Sequence, residues 1–249
     1  MSRHLAIVLA AGRGTRMDSE LPKVLLEIHG RPMLLYVLDA IRSAGVAECL
    51  VVVGYRSDLV RQALADRSGI HFTEQTEQLG TGHAVMACRE ALSGHQGGVV
   101  IVAGDSPLTQ ATSLSTLLAR YESERPAAVL GTAHKDDPTG LGRIVRDADG
   151  EFQAIVEQRD ATDAQRRITE VNMSTYVFDC RALIGALDQL SANNAQGEYY
   201  ITDCPGILKR EGKRVLALPV LKACEALSIN TLDELRAVEL EMIRSRGTD

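Results

Sequence analysis

The feature that most constrains this 249-residue chain is a set of short apolar runs without polar alternation, at residues 5–10, 49–53 and 99–102. A strand sends successive side chains to opposite faces, so such a run needs both faces covered, as in parallel sheets packed between helices. The intervening segments supply the helices. Pro32 opens one in which Leu34, Val37, Leu38 and Ile41 recur at helical spacing, and Gly45 closes it. Ser57 is expected to cap a helix reaching about Asp66, and residues 82–92 and 113–122 read as helical. Residues 70–73 and 128–132 read as further strands. Such alternation predicts an α/β protein with a mostly parallel, Rossmann-like sheet.

The second half changes character. Residues 143–146 and 152–156 flank Asp147-Ala148-Asp149-Gly150, which predicts a hairpin with a glycine-containing loop. A strand over 170–178 precedes a helix over 182–190, and Thr231 with Glu234 makes a capping box for a last helix to about Ile243. The expected architecture is one sheet with an antiparallel insertion on one side. Ligands of such sheets sit beyond the carboxyl ends of the strands, so the loops 11–17 and 104–107 are expected to converge.

Composition removes several classes of function. A net charge of -6 argues against a general nucleic-acid binder, without excluding a single nucleotide. Five dispersed cysteines read as buried thiols in a reducing cytoplasm, and no cysteine or histidine cluster has zinc-ligand spacing. No signal-peptide pattern opens the chain, and no apolar run approaches the ~18 residues of a membrane span.

The first apolar run ends in Leu9-Ala-Ala-Gly-Arg-Gly-Thr-Arg-Met17. Met17 stands where a dinucleotide fingerprint needs its third glycine, and no Gly-Lys-Ser/Thr follows for a P-loop. The parts of an anion cradle remain. Gly12 and Gly14 allow backbone N–H groups to converge, and Arg13, Arg16 and Lys23 supply charge. The alternative is a glycine turn with solvated arginines. Asp147-Ala-Asp149 has the D-x-D form of metal-dependent glycosyltransferases, but acidic residues are expected in a turn.

"LAAGRGTRM" followed by "LPKVL" resembles the signature of sugar-phosphate nucleotidyltransferases. "EQLGTGHAV", "GDSPL", "DDPTGLGRI", "IVEQRDAT" and "NNAQGEYYITD" narrow the resemblance to the pyrophosphorylase domain of bacterial N-acetylglucosamine-1-phosphate uridyltransferases. The resemblance implies one nucleotidyltransferase domain of GT-A-like fold over 1–249. About 1–110 would bind nucleotide, about 111–229 would bind sugar, and 230–249 would form a C-terminal helix. It implies UTP and a sugar 1-phosphate as substrates, Mg²⁺ as cofactor, and no nucleic-acid or membrane partner.

By that resemblance, Leu9, Ala11, Gly12, Gly14 and Thr15 lie along the nucleotide, with Arg16 on the departing pyrophosphate and Lys23 near the reacting phosphate. Gln75, Gln78, Gly80 and Thr81 would bind the nucleotide, with the Gln75 side chain and the Gly80 backbone on the uracil, whose carbonyl–N–H–carbonyl edge an amide and backbone groups can match; a loop in which Thr81 caps the helix and the glutamines are solvated is the alternative. His83 reads as an orienting or packing residue. Asp105 and Asn230 would hold Mg²⁺, although Asn230 could simply cap the last helix. Gly142, Glu157 and Asn172 match amino-sugar positions, and Tyr200 and Thr202 match positions near the sugar phosphate, with Tyr199 and Ile201 alternating toward the core.

Departures gather on the sugar side. Ala103 stands where the family commonly carries an aromatic residue and Leu141 where it often has Tyr. Asn172-Met173-Ser174 replaces the usual Asn-Thr-Gly. They leave open a different preferred sugar; a nucleotide-sugar sensor without turnover is the remaining alternative. The acetyltransferase repeats of the bifunctional relatives are not found, so acetyl transfer is not expected. Oligomeric state is not legible.

Overall fold

A computed structural model describes residues 4–13, 20–227, 229 and 231–246. The expectations for Gly14, Thr15, Arg16, Met17 and Asn230 fall outside them. In chain order the strands are β1 (Leu5–Leu9), β2 (Glu27–Ile28), β3 (Arg31–Pro32), β4 (Glu48–Val53), β5 (Ile70–Glu74), β6 (Gly98–Ala103), β7 (Ala128–His134), β8 (Arg143–Arg146), β9 (Phe152–Val156), β10 (Glu170–Asp179) and β11 (Val215–Leu218). The helices are α1 (Met33–Ser43), α2 (Ser57–Ala63), α3 (Thr81–Met86), α4 (Arg89–Leu92), α5 (Ala111–Glu124), α6 (Asp163–Arg166), α7 (Cys180–Leu187), α8 (Asp203–Arg210) and α9 (Leu232–Arg246).

The main sheet runs β11-β7-β10-β6-β1-β4-β5, with the β8–β9 hairpin attached to β10 through β8. β1, β4, β5 and β6 are mutually parallel, as are β7 and β11. The antiparallel β8–β9 hairpin is the expected insertion, and one further antiparallel strand, β10, lies inside the sheet. β10 pairs antiparallel with both β6 and β7. A strand in that position satisfies the hydrogen-bonding edges of two neighbours and extends the parallel sheet past itself.

Alternation along the apolar runs divides the core in two. Ile7, Leu50, Val52, Val99 and Ile101 face a layer containing α3, α4, α7 and α8. Ala6, Val8, Val51, Val100 and Val102 face one containing α1, α2 and α5. Of the five cysteines, all free thiols, Cys49, Cys88, Cys180 and Cys204 are buried. No helix among the described residues is long and apolar enough to cross a membrane.

Several boundaries differ from the expected ones, each for a local reason. Ser57 is the first residue of α2, not its cap; Arg56 precedes it in a left-handed backbone and supplies no side-chain cap. The helix expected over 82–92 divides into α3 and α4, where the Cys88 N–H bonds the Val85 carbonyl and tightens the turn. The sequence reading missed α8 because Pro205 and Gly206 sit in it, and missed β11 because it is only four residues long. α7 begins at Cys180, with the Asp179 carboxylate accepting from the Ala182 N–H at 3.0 Å. The last helix keeps its expected start, since Thr231 Oγ1 accepts from the Glu234 N–H at 3.2 Å.

The hairpin is fastened to the sheet by charge. Arg146 of β8 donates from Nε and Nη2 to the two carboxylate oxygens of Glu170 at 2.7 Å each, and also to the Ala217 carbonyl at 2.8 Å. Thr132 Oγ1 donates to the same carboxylate at 2.6 Å. Burial works to raise the Glu170 pKa, but Arg146 and Thr132 outweigh it and hold the carboxyl below its ordinary 4.5. Its contribution to stability is therefore present above pH 4.5 and lost as acid protonates it. Arg146→Met strands a buried carboxylate and is expected to cost about 3 kcal/mol at pH 7. Denaturant titrations should show that deficit shrinking below pH 4.5.

Candidate active site

The order β6-β1-β4 is a topological switch point, because the chain leaves β1 toward β4 on one side and β6 lies on the other. A cavity of about 310 Å³ opens at the carboxyl ends of these strands. Leu9, Ala11 and Gly12 wall it from the first loop, and Asp105 and Ala103 from the end of β6. The two loops expected to meet therefore do so in their described parts. Gly104 makes this close approach possible: its N–H bonds the Leu9 carbonyl at 2.9 Å, and a Cβ there would lie 2.9 Å from that oxygen.

Lys23 reaches across the cavity floor from a 3₁₀ turn, Lys23–Leu25. Its ammonium lies 2.5 Å from Asp105 Oδ2, with the two side chains 14% and 27% exposed. Lys23 is thus a partly buried cation held beside a carboxylate rather than a solvated surface lysine. Arg13, also expected to offer charge to phosphate, stacks its guanidinium 5.1 Å from the centre of the Tyr55 ring.

Gln75, Gln78, Gly80 and Thr81 form the opposite wall. Gln75 is buried; its amide nitrogen donates to the Gly80 carbonyl at 3.1 Å and lies 3.2 Å from His83 Nδ1. This fits the orienting role expected of His83. Gln78 donates to the Ala11 carbonyl at 2.8 Å, tying this wall to the first loop. Gly80 adopts φ +107°, and a Cβ there would lie 2.6 Å from the Tyr199 carbonyl oxygen. That proximity is purposeful: Tyr199 N–H bonds Leu79 O at 2.8 Å, Gly82 N–H bonds Tyr199 O at 2.7 Å, and Ile201 N–H bonds Thr81 Oγ1 at 3.2 Å. The two stretches that carried the resemblance most specifically are thus strapped together by backbone.

The expected sugar residues make a second, adjoining cluster. Asn172 N–H bonds the Gly142 carbonyl at 2.8 Å, and Thr202 Oγ1 donates to Glu157 Oε1 at 3.0 Å. A Cβ on Gly142 would lie 3.4 Å from both Asn172 Cβ and Glu157 Oε1, so the three positions share one small space. Tyr200 is buried, its hydroxyl accepting from Gln196 Nε2 at 2.7 Å. The strand-like alternation expected over 199–202 is not present. The segment turns directly into α8, and Tyr200, Ile201 and Thr202 are all buried while Tyr199 lies beside the His83 ring.

Asp147 accepts from the backbone N–H groups of Asp149 and Glu151 and from Gln153 Nε2, so the D-x-D stretch is a turn. Among the described residues no three or more His, Cys, Asp or Glu side chains form a metal cage. Mg²⁺ needs none, since it keeps waters and takes one or two protein oxygens besides phosphates. The Asp105 carboxylate at the cavity fits that demand. The reading from sequence missed Val24, Ala84 and Glu198 in the cavity wall. All three lie within stretches that carry the resemblance, Val24 in "LPKVL", Ala84 in "EQLGTGHAV" and Glu198 in "NNAQGEYYITD".

Burial pushes the Glu157 carboxyl above its ordinary 4.5, with Thr202 pulling the other way. A raised carboxyl favours folding in its neutral form, so that stability is present below pH 4.5 and is lost as pH rises through the folded value. Glu157→Gln keeps the neutral shape. Its melting temperature should match the parent's at pH 4 and exceed it at pH 8.

The MobA-like NTP transferase domain model matches residues 6–201. The chain is 43% identical over 230 residues to the bifunctional protein GlmU of Enterococcus faecalis, covering 92% of this chain and 50% of that protein. It is 44% identical over 252 residues to GlmU of Heliobacterium modesticaldum, covering 100% and 55%. The chain thus spans about half the length of these curated relatives. A UDP-glucose pyrophosphorylase solved with UDP-glucose superposes with a TM-score of 0.77 at 15% identity, covering 97% of this chain and 99% of that one. A Bacillus anthracis protein assigned as a glucose-1-phosphate thymidylyltransferase gives 0.77 at 17%, covering 96% and 94%. At those identities the likeness is one of fold.

Proposed function

The chain belongs to the MobA-like NTP transferase domain family, and from that premise we propose that it joins UTP and N-acetylglucosamine 1-phosphate into UDP-N-acetylglucosamine, releasing pyrophosphate. One observation carries the reading: the described nucleotide-side residues surround a single cavity that contains the Lys23–Asp105 pair, and the sugar-side cluster adjoins it through β10. Family and curated relatives point the same way. The reading needs no nucleic-acid or membrane partner and places the protein in the cytoplasm, where both substrates reside.

In this reaction an oxygen of the sugar phosphate attacks the α-phosphorus of UTP in line. The bond to the bridging oxygen breaks, and its electron pair leaves with pyrophosphate. The attacking phosphate is already deprotonated, so the protein's work is positioning and charge neutralisation. Lys23 sets a fixed positive charge beside the transferred phosphate, and Arg16 meets the leaving group. Gln75, with the Gly80 backbone, holds the uracil edge; Gly142, Asn172 and Glu157 hold the sugar. Mg²⁺ bound by Asp105 and Asn230 would supply further positive charge shared by the phosphates of both substrates.

Ala103 and Ser174, two of the departures from the family pattern, line the cavity and favour a second reading in which another sugar 1-phosphate is preferred. The intact Lys23–Asp105 pair speaks against a sensor without turnover. Pyrophosphate release with Mg²⁺, each nucleoside triphosphate and a panel of sugar 1-phosphates decides among these. Release is expected with UTP and N-acetylglucosamine 1-phosphate; release with another sugar alone would overturn the named substrate, and none with any pair would overturn the enzyme. Lys23→Ala is expected to lower kcat about 10²–10³-fold, the size typical of losing one preorganised charge-stabilising donor. Asp105→Asn should abolish metal-dependent turnover while far-UV circular dichroism stays unchanged.

A further inference from the structure

β10 carries a local irregularity where the two parts of the site meet. Its pairing with β7 jumps from Asn172↔Thr132 to Thr175↔Gly131, leaving Met173 and Ser174 as extra residues. Bulges of this kind re-aim side chains and are frequent beside active sites. Ser174 sits in it with φ +49°, a left-handed backbone that a residue with a Cβ adopts at a cost. On the other edge, Thr175 pairs with Val102, which brings Ser174 beside the end of β6 at Ala103.

Two further observations place Ser174 between the subsites. It lines the cavity that holds Lys23 and Asp105, while its N–H bonds the Asn172 side-chain oxygen at 3.4 Å. Beside it lies the fully buried Tyr176, whose hydroxyl has no hydrogen-bond partner among the described residues. Burial drives the Tyr176 phenol upward, against the influence of the neighbouring Asn172 and Ser174 side chains. A buried hydroxyl left unpaired is costly, and here it sits beside a strained serine at the mouth of a substrate site.

We propose that Ser174 is a substrate-contacting residue whose hydroxyl donates to the phosphate of the acceptor sugar, oriented by the Tyr176 hydroxyl. The inference rests on the function proposed above. A sugar held by Asn172, Gly142 and Glu157 must pass its anomeric phosphate toward Lys23 and Asp105, and Ser174 bonds Asn172 while lining the cavity that holds that pair. The strain then has a reason: a glycine would relax the backbone but offer no donor. Tyr176 acts as a positioning residue in the bound state, its hydroxyl donating to the Ser174 oxygen once the serine hydroxyl turns to the phosphate.

Three variants of the full chain test this by steady-state pyrophosphate release. Ser174→Ala keeps the strain and removes the hydroxyl; Ser174→Gly removes both. Each is expected to lower kcat/KM for the sugar 1-phosphate about 10–100-fold, the range for a hydrogen bond to a charged group, with KM for UTP unchanged. Ser174→Gly should melt no lower than the parent, which separates lost chemistry from lost folding. Tyr176→Phe should raise KM for the sugar phosphate at unchanged KM for UTP. Ser174→Gly retaining parental kcat/KM, or the serine variants losing UTP and sugar-phosphate affinity alike, would overturn the proposal. Absence of turnover by the parent protein with every substrate pair would instead overturn the proposed function and this inference with it.

Discussion

Strand β10 is the constraint on which the rest of the molecule depends. Its carboxyl-terminal half is paired on both edges and carries Tyr176, Val177 and Phe178, all fully buried. Unpaired backbone groups are not tolerated in such a place, so β6 and β7 can join one sheet only through it. Because it runs against them, its amino-terminal end arrives at the edge where the parallel strands finish. Ser174 therefore lines the same cavity as Leu9 and Asp105. An added parallel strand would have carried its last residues there and its first to the far edge.

Close backbone approach does the remaining assembly. At Gly80, Gly82 and Gly104 a Cβ would meet a backbone oxygen at 2.6, 2.8 and 2.9 Å. Each glycine admits a contact between segments far apart in sequence: the 79–82 loop with Tyr199, and the end of β6 with β1. Rigid main-chain contacts of this kind hold a site more firmly than long side chains, which lose more conformational entropy when fixed.

Charge is distributed by depth. On the solvent side, Arg89–Asp188 and similar exposed pairs add little to stability. Deeper, Arg146–Glu170 fastens the hairpin and holds its carboxyl below the ordinary value, whereas Glu157 has no cation in bonding contact among the described residues and its carboxyl is raised by burial. Two glutamates on the same part of the fold are thus biased in opposite directions, one by a bidentate arginine and the other by burial.

The sequence by itself determined what depends on local pattern. Unalternating apolar runs dictated strands buried on both faces, Asp147 to Gly150 dictated the hairpin turn, and Thr231 with Glu234 set the start of the last helix. Its motifs also picked out Gly12, Lys23 and Asp105, which line one cavity. It could not place β10 inside the sheet, since strand order follows from edges competing for partners far away in sequence. Nor could it show that Ser174 lines the same cavity as Lys23 and Asp105 or that Tyr199 turns from the core toward His83. A bulge and a strap are decided by neighbours more than 30 residues distant, and only tertiary packing brings those neighbours to bear.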